Sequence, residues 1–135
     1  MGYCIQMRDS NFVIEASNFA PALAAIKGLA GKETINDSSG RHFSWVNTND
    51  FVNAKTLEEA MLAWRWEIDC GDDGSVQYIY FTGEKIGDDM ILFDAIAPFV
   101  EDGSYIEMQG EDGAIWRWVF ADKKVQEKYA SISWE

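Results

Sequence analysis

The chain has 135 residues, which is long enough to bury a hydrophobic core without disulfides or metal ions, and we expect one domain over residues 1–135. Hydrophobic residues make up 47% and aromatic residues 14% of the chain, a composition that excludes an intrinsically disordered protein. The 23 acidic and 11 basic side chains leave a formal net charge of −12, which argues against direct binding to nucleic acid or anionic membranes.

Neither cysteine falls in a pattern typical of a metal site. Cys4 and Cys70 lie far apart, outside any CxxC motif or Cys/His cluster with zinc spacing. The N-terminus lacks the basic start and apolar run of a signal peptide, and no stretch reaches the roughly 18 apolar residues of a membrane span. We therefore expect a reduced, cytoplasmic protein with no metal, no cofactor and no membrane contact.

The first third of the chain predicts two strands followed by a helix. The runs Tyr3–Met7 and Asn11–Ala16 are rich in β-forming residues and flank the polar segment Arg8–Ser10, which predicts an opening hairpin. A Ser-Asn pair can then cap a helix, because apolar residues recur at helical spacing until Gly31 ends the pattern.

The next segment predicts one strand and one helix between loops. Residues 32–41 and 47–53 are polar and predict loops, whereas residues 42–46 alternate in polarity and predict a short strand. Thr56–Glu59 forms a capping box, so we expect a helix over residues 56–66. Its predicted apolar face consists of Leu57, Ala60, Met61 and Trp64.

An internal similarity marks the second half of the chain. The segment Gly71–Phe81 matches Gly110–Phe120 position by position, 39 residues later, and each copy places Asp-Gly between two β-rich runs. This pattern is typical of a tight hairpin. The similarity reflects either a duplicated αββ unit or two similar hairpins.

The remaining elements complete the predicted fold. We expect a helix over residues 88–100 that Pro98 kinks or ends, and final strands at 104–109, 114–121 and 124–134. The order predicts an α+β fold in which a mostly antiparallel sheet carries about three helices on one face.

No pattern in the chain predicts a particular chemical reaction. Asp69 and Asp73 resemble part of a calcium loop, but the third and twelfth positions are Gly71 and Tyr80, which cannot supply the required ligands. His42 is the only histidine, so it is the one side chain that ordinarily titrates near neutral pH. Without a nucleophile elbow or a phosphate loop, we assign no catalytic residue and expect no enzyme.

The aromatic residues predict a candidate surface. Trp116 and Trp118 are two positions apart on a predicted strand and share one face, while Arg117 projects to the other. In the earlier copy, Tyr78 and Tyr80 occupy the positions equivalent to Arg117 and Val119, which share the other face of the strand. We therefore expect Tyr78, Tyr80 and Arg117 on the open side, together with Trp45 or Trp134.

At Gly110–Phe120 and Ser39–Trp45 the chain resembles small acidic proteins of bacteria and their phages. The similarity extends over most of the chain. It implies a setting but no activity, and it transfers no catalytic or binding residue.

Three functions remain open from the sequence. The leading hypothesis is an acidic inhibitor or binding module that occupies a basic surface, such as the nucleic-acid-binding groove of a host or toxin protein. The hairpin-tip contacts expected for it are Asp72, Asp73, Glu111 and Asp112. An enzyme or small-ligand binder would use a helix–sheet pocket with Arg41, His42 and Arg117, and a homo-oligomer would pair its open aromatic face.

Overall fold

Antiparallel strands and short helices alternate in the computed structural model, which describes residues 2–131. The strands are β1 (Ile5–Asn11), β2 (Ile35–Asp37), β3 (Gly40–Phe43), β4 (Val46–Asn47), β5 (Trp66–Cys70), β6 (Val76–Phe81), β7 (Tyr105–Gly110), β8 (Ile115–Ala121) and β9 (Lys124–Tyr129). The helices are α1 (Phe19–Lys27), α2 (Thr48–Val52), α3 (Leu57–Ala63) and α4 (Asp89–Ile96), with single 3-10 turns before α1 and after α4. Every pairing between these strands is antiparallel, so the predicted α+β fold is confirmed.

The sheet is divided into three parts rather than continuous as predicted. The largest part has the strand order β1-β7-β8-β9, whereas β2, β3 and β4 form a small separate sheet. The β5–β6 hairpin is joined to the other edge of β1 by two bridges, Ile14–Val76 and Cys4–Lys85. Because these bridges lie at opposite ends of β1, β6 runs alongside it without a full hydrogen-bond ladder.

The predicted opening hairpin is wrong. β1 runs straight through Arg8–Ser10 and pairs with β7, with a register shift between Met7 and Asp9. A bulge of this kind absorbs one extra residue, so the polar segment bends the strand instead of reversing it. The partner that stabilises this arrangement, β7, is far away in the sequence.

Two predicted loops contain regular structure. Residues 32–41 include β2 and the start of β3, because Ser38 and Ser39 form a tight turn between them. Residues 47–53 include α2, since the Asn47 side chain accepts a hydrogen bond from the Asn49 amide and caps this short helix. The predicted strand over 42–46 is interrupted by a turn at Ser44 and Trp45.

The capping box at Thr56 forms as predicted, but its helix is shorter. The Thr56 hydroxyl accepts from the Glu59 amide at 3.1 Å, and the Glu59 carboxylate accepts from the Lys55 amide at 3.0 Å. The helix stops at Ala63 because Arg65 adopts a left-handed backbone conformation (φ 73°), and the chain reverses into β5. The four predicted apolar-face residues are all buried.

The C-terminal elements follow the predicted order. α4 ends at Ile96, and Pro98 lies in the 3-10 turn that follows it. β9 ends at Tyr129, and the predicted extension of this strand beyond residue 131, with Trp134, lies outside the described residues. No helix within residues 2–131 is long and apolar enough to cross a lipid bilayer.

The two similar segments adopt the same local geometry. The Gly71 amide donates to the Ser75 carbonyl at 2.9 Å, and the Gly110 amide donates to the Ala114 carbonyl at 2.8 Å. Gly74 and Gly113 both take positive φ, at 83° and 89°. The predicted hairpins are confirmed, while their origin in a duplication stays a prediction.

Buried aromatic rings join the β5–β6 hairpin to the four-stranded sheet across the core. Trp66 on β5 packs against Trp118 on β8, with ring centroids 6.0 Å apart. Phe93 of α4 contacts both rings, at 5.1 Å and 5.0 Å. The covered faces of β5–β6 and of β8 therefore face each other, and their outer faces point away from each other.

A buried carboxylate connects this core to the surrounding loops. Asp89, the first residue of α4, is 1% exposed and accepts from the Trp66 indole at 3.0 Å and the Gly87 amide at 3.0 Å. Its second oxygen also pairs with the Arg65 guanidinium at 3.2 Å. Arg65 donates further to the Lys85 carbonyl at 2.7 Å, so this cluster holds residues 85–87 against the start of β5.

Replacing Asp89 with alanine tests this connection. We expect Asp89→Ala to lower the free energy of unfolding by about 3–5 kcal/mol, because it leaves the Arg65 guanidinium buried without a carboxylate partner. Urea denaturation would measure the change. Asp94→Ala, on the exposed side of the same helix, is the matched control, and equal losses in the two variants would contradict this role.

Candidate functional site

The structure separates the two predicted groups of hairpin-tip carboxylates. The tip that follows β7 lies beside the start of β1, where Ile5 pairs with Gly110. The tip that precedes β6 lies beyond the end of β1, where Ile14 pairs with Val76. At roughly 3.3 Å per residue, β1 and its extension separate the tips by about 30 Å, so the two groups do not form one patch.

Glu111 and Asp112 hold the N-terminal segment in place. The Cys4 amide donates to the Glu111 carboxylate at 2.8 Å, and the Glu111 amide donates to the Cys4 carbonyl at 2.9 Å. The Tyr3 hydroxyl donates to Asp112. This hydrogen bond raises the pKa of Tyr3 to about 12 and lowers the pKa of Asp112. Both carboxylates thus have partners within the chain.

Asp73 stabilises its own turn, whereas Asp72 is exposed beside it. Asp73 accepts from the Ser75 hydroxyl at 2.6 Å, the Ser75 amide at 2.9 Å and the Gln77 amide group at 3.2 Å. The Ser75 hydroxyl is the largest cause of the lowered pKa of Asp73. Asp73 therefore remains ionised and accepts hydrogen bonds within the hairpin.

The β5–β6 hairpin presents two exposed tyrosines opposite two carboxylates. Tyr78 and Tyr80 are 49% and 45% exposed. Across the ladder, Tyr80 pairs with Glu67 and Tyr78 pairs with Asp69, and both acidic residues are exposed. Side chains directly opposite each other lie close together on one face of the sheet. We name this group of four residues the acidic tyrosine face.

The charge around this face has one sign. Residues 66–84 contain no Lys, Arg or His. Their carboxylates are Glu67, Asp69, Asp72, Asp73 and Glu84. The predicted exposure of Tyr78 and Tyr80 is confirmed, and the carboxylates opposite them, Glu67 and Asp69, were missed. The Asp-Gly turn alone could not have revealed them, because a register shift between Asp69 and Cys70 changes which residues of β5 and β6 lie opposite each other.

Arg117 lies on a different surface from the tyrosines. It projects from the outer face of β8, where it donates to Glu107 at 2.8 Å and lies 4.2 Å from the Tyr105 ring centre. Arg8 donates to the same Glu107 carboxylate at 3.0 Å. Arg117 and Arg8, in that order, lower the pKa of Glu107. Arg117 is exposed on the outer side of the sheet, as predicted, but β1 and β7 separate it from Tyr78 and Tyr80 on β6.

Four basic side chains lie on the outer side of the sheet formed by β1, β7, β8 and β9. Lys128 pairs directly opposite Arg117, and Lys124 pairs opposite Ala121. Lys124 and Lys128 also line a shallow groove together with Val119. We name Arg8, Arg117, Lys124 and Lys128 the basic sheet face.

Arg41 and His42 are occupied on the small sheet and do not meet Arg117. Arg41 pairs with Glu33 at 3.0 Å. The His42 ring lies 3.1 Å from the Phe43 carbonyl and 3.4 Å from Asp37. The Phe43 carbonyl and then Asp37 raise the pKa of His42. These contacts fix a β-hairpin, and the helix–sheet pocket predicted from Arg41, His42 and Arg117 is not assembled.

Comparisons with protein-family models, with curated proteins and with solved structures found no match. The resemblance to small acidic proteins of bacteria and phages therefore stays a prediction. The charge and the exposure of the surfaces are therefore the evidence on function.

The hydrogen bonds to the Glu33 carboxylate make the free energy of unfolding depend on pH in the acid range. The Thr48 hydroxyl (2.6 Å), then the backbone amides of Glu33 and Gly31, and last the charge of Arg41, lower its pKa from 4.5 to about 2. Its contribution to stability is complete above pH 4.5 and is lost as the pH falls from 4.5 towards 2, because the unfolded chain takes up the proton first.

We therefore expect Glu33→Gln to be less stable near neutral pH and to lose stability less steeply between pH 4.5 and 2. Chemical denaturation at stepped pH would measure both effects. Thr48→Val, which removes the hydroxyl donor, should shift the profile in the same direction. A Glu33→Gln profile parallel to that of the wild-type chain would contradict the assignment.

Proposed function

We propose that this chain is a non-enzymatic binding module whose acidic tyrosine face binds a basic segment of a partner protein. The observation that carries the proposal is the pairing of two exposed tyrosines with two exposed carboxylates on a hairpin that has no basic side chain. From the sequence alone, we further propose that the chain inhibits this partner and that it originates from a phage or another mobile element.

The chemistry of this face suits Lys and Arg. Carboxylates accept charge-assisted hydrogen bonds from guanidinium and ammonium groups, and tyrosine rings attract the same cations over their faces. Neither Tyr78 nor Tyr80 donates its hydroxyl to a group within residues 2–131, so both phenols are free for a partner.

Buried side chains support this face from the core side, which favours binding. Ile79 lies between the two tyrosines in sequence and is fully buried. On the neighbouring strand β5, Trp66 packs against Phe93 in the core. A preorganised surface loses less conformational freedom on association. The net charge of −12 adds long-range attraction for a basic partner and raises the association rate at low salt.

The basic sheet face supports self-association as a second candidate function. Its four cations are complementary in charge to the acidic tyrosine face, and the two surfaces point in different directions. A contact between unlike surfaces of identical chains is head-to-tail. The acidic tyrosine face of one copy would then bind the basic sheet face of another.

The first test measures binding of a fluorescein-labelled peptide of four Arg-Thr repeats by fluorescence anisotropy. We expect the double variant Tyr78→Ala, Tyr80→Ala to bind the peptide more weakly by about fivefold or more, because two cation–π contacts of about 0.5–2 kcal/mol each are lost. Tyr129→Ala, which removes a tyrosine that is 63% exposed on β9, is the matched control.

Salt provides the accompanying control. Raising the salt concentration from about 0.05 M to 0.5 M should lower the affinity for the peptide. In the double variant Glu67→Gln, Asp69→Asn, the affinity should depend less on salt. If a matched Glu-Thr peptide bound equally well, or if Tyr129→Ala weakened binding as much as the double variant, the proposed site would be wrong.

Charge reversal tests the self-association candidate. We expect the double variant Glu67→Lys, Asp69→Lys to be monomeric by analytical ultracentrifugation. The double variant Lys124→Glu, Lys128→Glu should be monomeric as well. An equimolar mixture of the two variants should form a heterodimer, because each retains the surface that the other lacks. Two monomeric variants that stay monomeric when mixed, or a wild-type chain that is monomeric at all concentrations, would reject this candidate.

A further inference from the structure

Strand β9 is an open edge of the four-stranded sheet. In the order β1-β7-β8-β9, its one ladder neighbour within residues 2–131 is β8. Residues 126–129 of this strand are exposed, whereas Val125 is buried. An edge strand presents a row of backbone amides and carbonyls that can pair with another chain. Most of β9 is therefore accessible to a further strand.

The β8–β9 ladder shows which backbone groups point outward. The Ala130 amide donates to the Ile115 carbonyl at 2.9 Å, and the register between the two strands has no shift. Hydrogen-bonded and non-hydrogen-bonded pairs alternate along an antiparallel ladder. The amides and carbonyls of Val125, Glu127 and Tyr129 therefore point away from β8. None of them bonds to another backbone group within residues 2–131.

The outer side of β9 is basic. Lys124 and Lys128 lie on this side, and Lys128 is directly opposite Arg117. Neither lysine forms an ion pair within the described residues. The groove that both lysines line contains one carboxylate, that of Asp122 in the turn. Two unpaired ammonium groups are thus available beside the open edge.

The core side of β9 is mainly apolar and aromatic. Val125 is buried on this side, and the Tyr129 ring lies 6.0 Å from the Trp116 ring. Glu127 lies between them and accepts from the Trp118 indole at 3.0 Å and from the Tyr129 hydroxyl at 3.1 Å. Because this carboxylate already has partners, β-branched side chains of an added strand fit best on this side.

A second copy of the same edge fits poorly. In a twofold dimer the outward-pointing residues of β9 must pair with one another. If Glu127 lies opposite itself, two carboxylates meet. If Val125 lies opposite Glu127, Lys124 meets Lys128, and if Glu127 lies opposite Tyr129, Lys128 meets itself. Like charges directly opposite each other are destabilising, so this edge favours a strand of opposite charge.

We infer that the β9 edge is a second binding site, which takes an extended partner segment in which acidic and β-branched residues alternate. The segment adds to the sheet as an antiparallel strand and pairs with the backbone of Val125, Glu127 and Tyr129. Its carboxylates lie on the outer side beside Lys124 and Lys128, and its β-branched residues lie on the core side. This site is independent of the acidic tyrosine face, which lies on another strand.

The test titrates the ¹⁵N-labelled full chain with an acetylated peptide of four Glu-Val repeats and follows the amide resonances by NMR. We expect the amides of Val125, Glu127 and Tyr129 to shift most, because they gain acceptors. The net charge of −12 should keep this affinity below that of the Arg-Thr peptide. The double variant Lys124→Gln, Lys128→Gln should bind about fivefold more weakly, because two ion pairs are lost.

Two N-methylated peptides separate strand addition from charge attraction and leave the protein unchanged. On the added strand, the valines lie opposite Val125, Glu127 and Tyr129, and their amides point towards β9. Methylation of the valine amides should therefore weaken binding about tenfold or more. Methylation of the glutamate amides, which point away from β9, should change it about twofold or less.

Three results would overturn the inference. Equal affinity of the two methylated peptides would mean that charge alone attracts the segment. Shifts confined to residues outside β9, or no shifts at millimolar peptide, would remove the site. Equal weakening by the lysine variant and by the double variant Tyr78→Ala, Tyr80→Ala would place the peptide elsewhere. Binding of the Arg-Thr peptide to the acidic tyrosine face is unaffected by any of these outcomes.

Discussion

The Asp89 carboxylate is the contact on which the arrangement of the surrounding segments depends. It receives hydrogen bonds from the Arg65 guanidinium, the Trp66 indole and the Gly87 amide, and it is shielded from water. A carboxylate in this position is stable only because it is paired, and it also lies where the first turn of a helix favours negative charge. Its neighbour Asp88 accepts from the Thr34 hydroxyl at 2.7 Å and the Ser44 amide at 2.9 Å. Two consecutive carboxylates therefore attach the small sheet and the β5–β6 hairpin to the same end of α4.

This contact explains the left-handed backbone of Arg65, whereas that of Trp45 has no such explanation. Arg65 is the residue after the last turn of α3, where glycine is usual, but its side chain is required for the buried pair. Trp45 buries less than half of its surface and makes one long hydrogen bond. Strain at the first residue is offset within the fold. Strain at the second coincides with an exposed side chain.

Local sequence patterns are predictive where a single segment determines the structure. The capping box at Thr56 and the two Asp-Gly hairpins depend on neighbours a few residues away, and both are confirmed. Long-range partners had no such pattern. The bulge in β1, the pairing of Glu107 with two arginines and the separation of the two hairpin tips each depend on which distant segments meet. Of the candidate site, the tyrosines could be predicted from strand alternation, but their carboxylate neighbours required the register between β5 and β6.

The position of β1 has a consequence for how the chain acquires its structure. β1 lies at the N-terminus, yet its ladder partner is β7, so that Ile5 must meet Gly110 and Asn11 must meet Tyr105. Loop closure over such a separation is entropically costly and slows the search for the native topology. During synthesis, β1 emerges from the ribosome long before its partner exists and has only an incomplete set of bridges to β6 until then. The four-stranded sheet can therefore form only after β7 has been made, and until then the strand edge of β1 that faces β7 has no ladder partner.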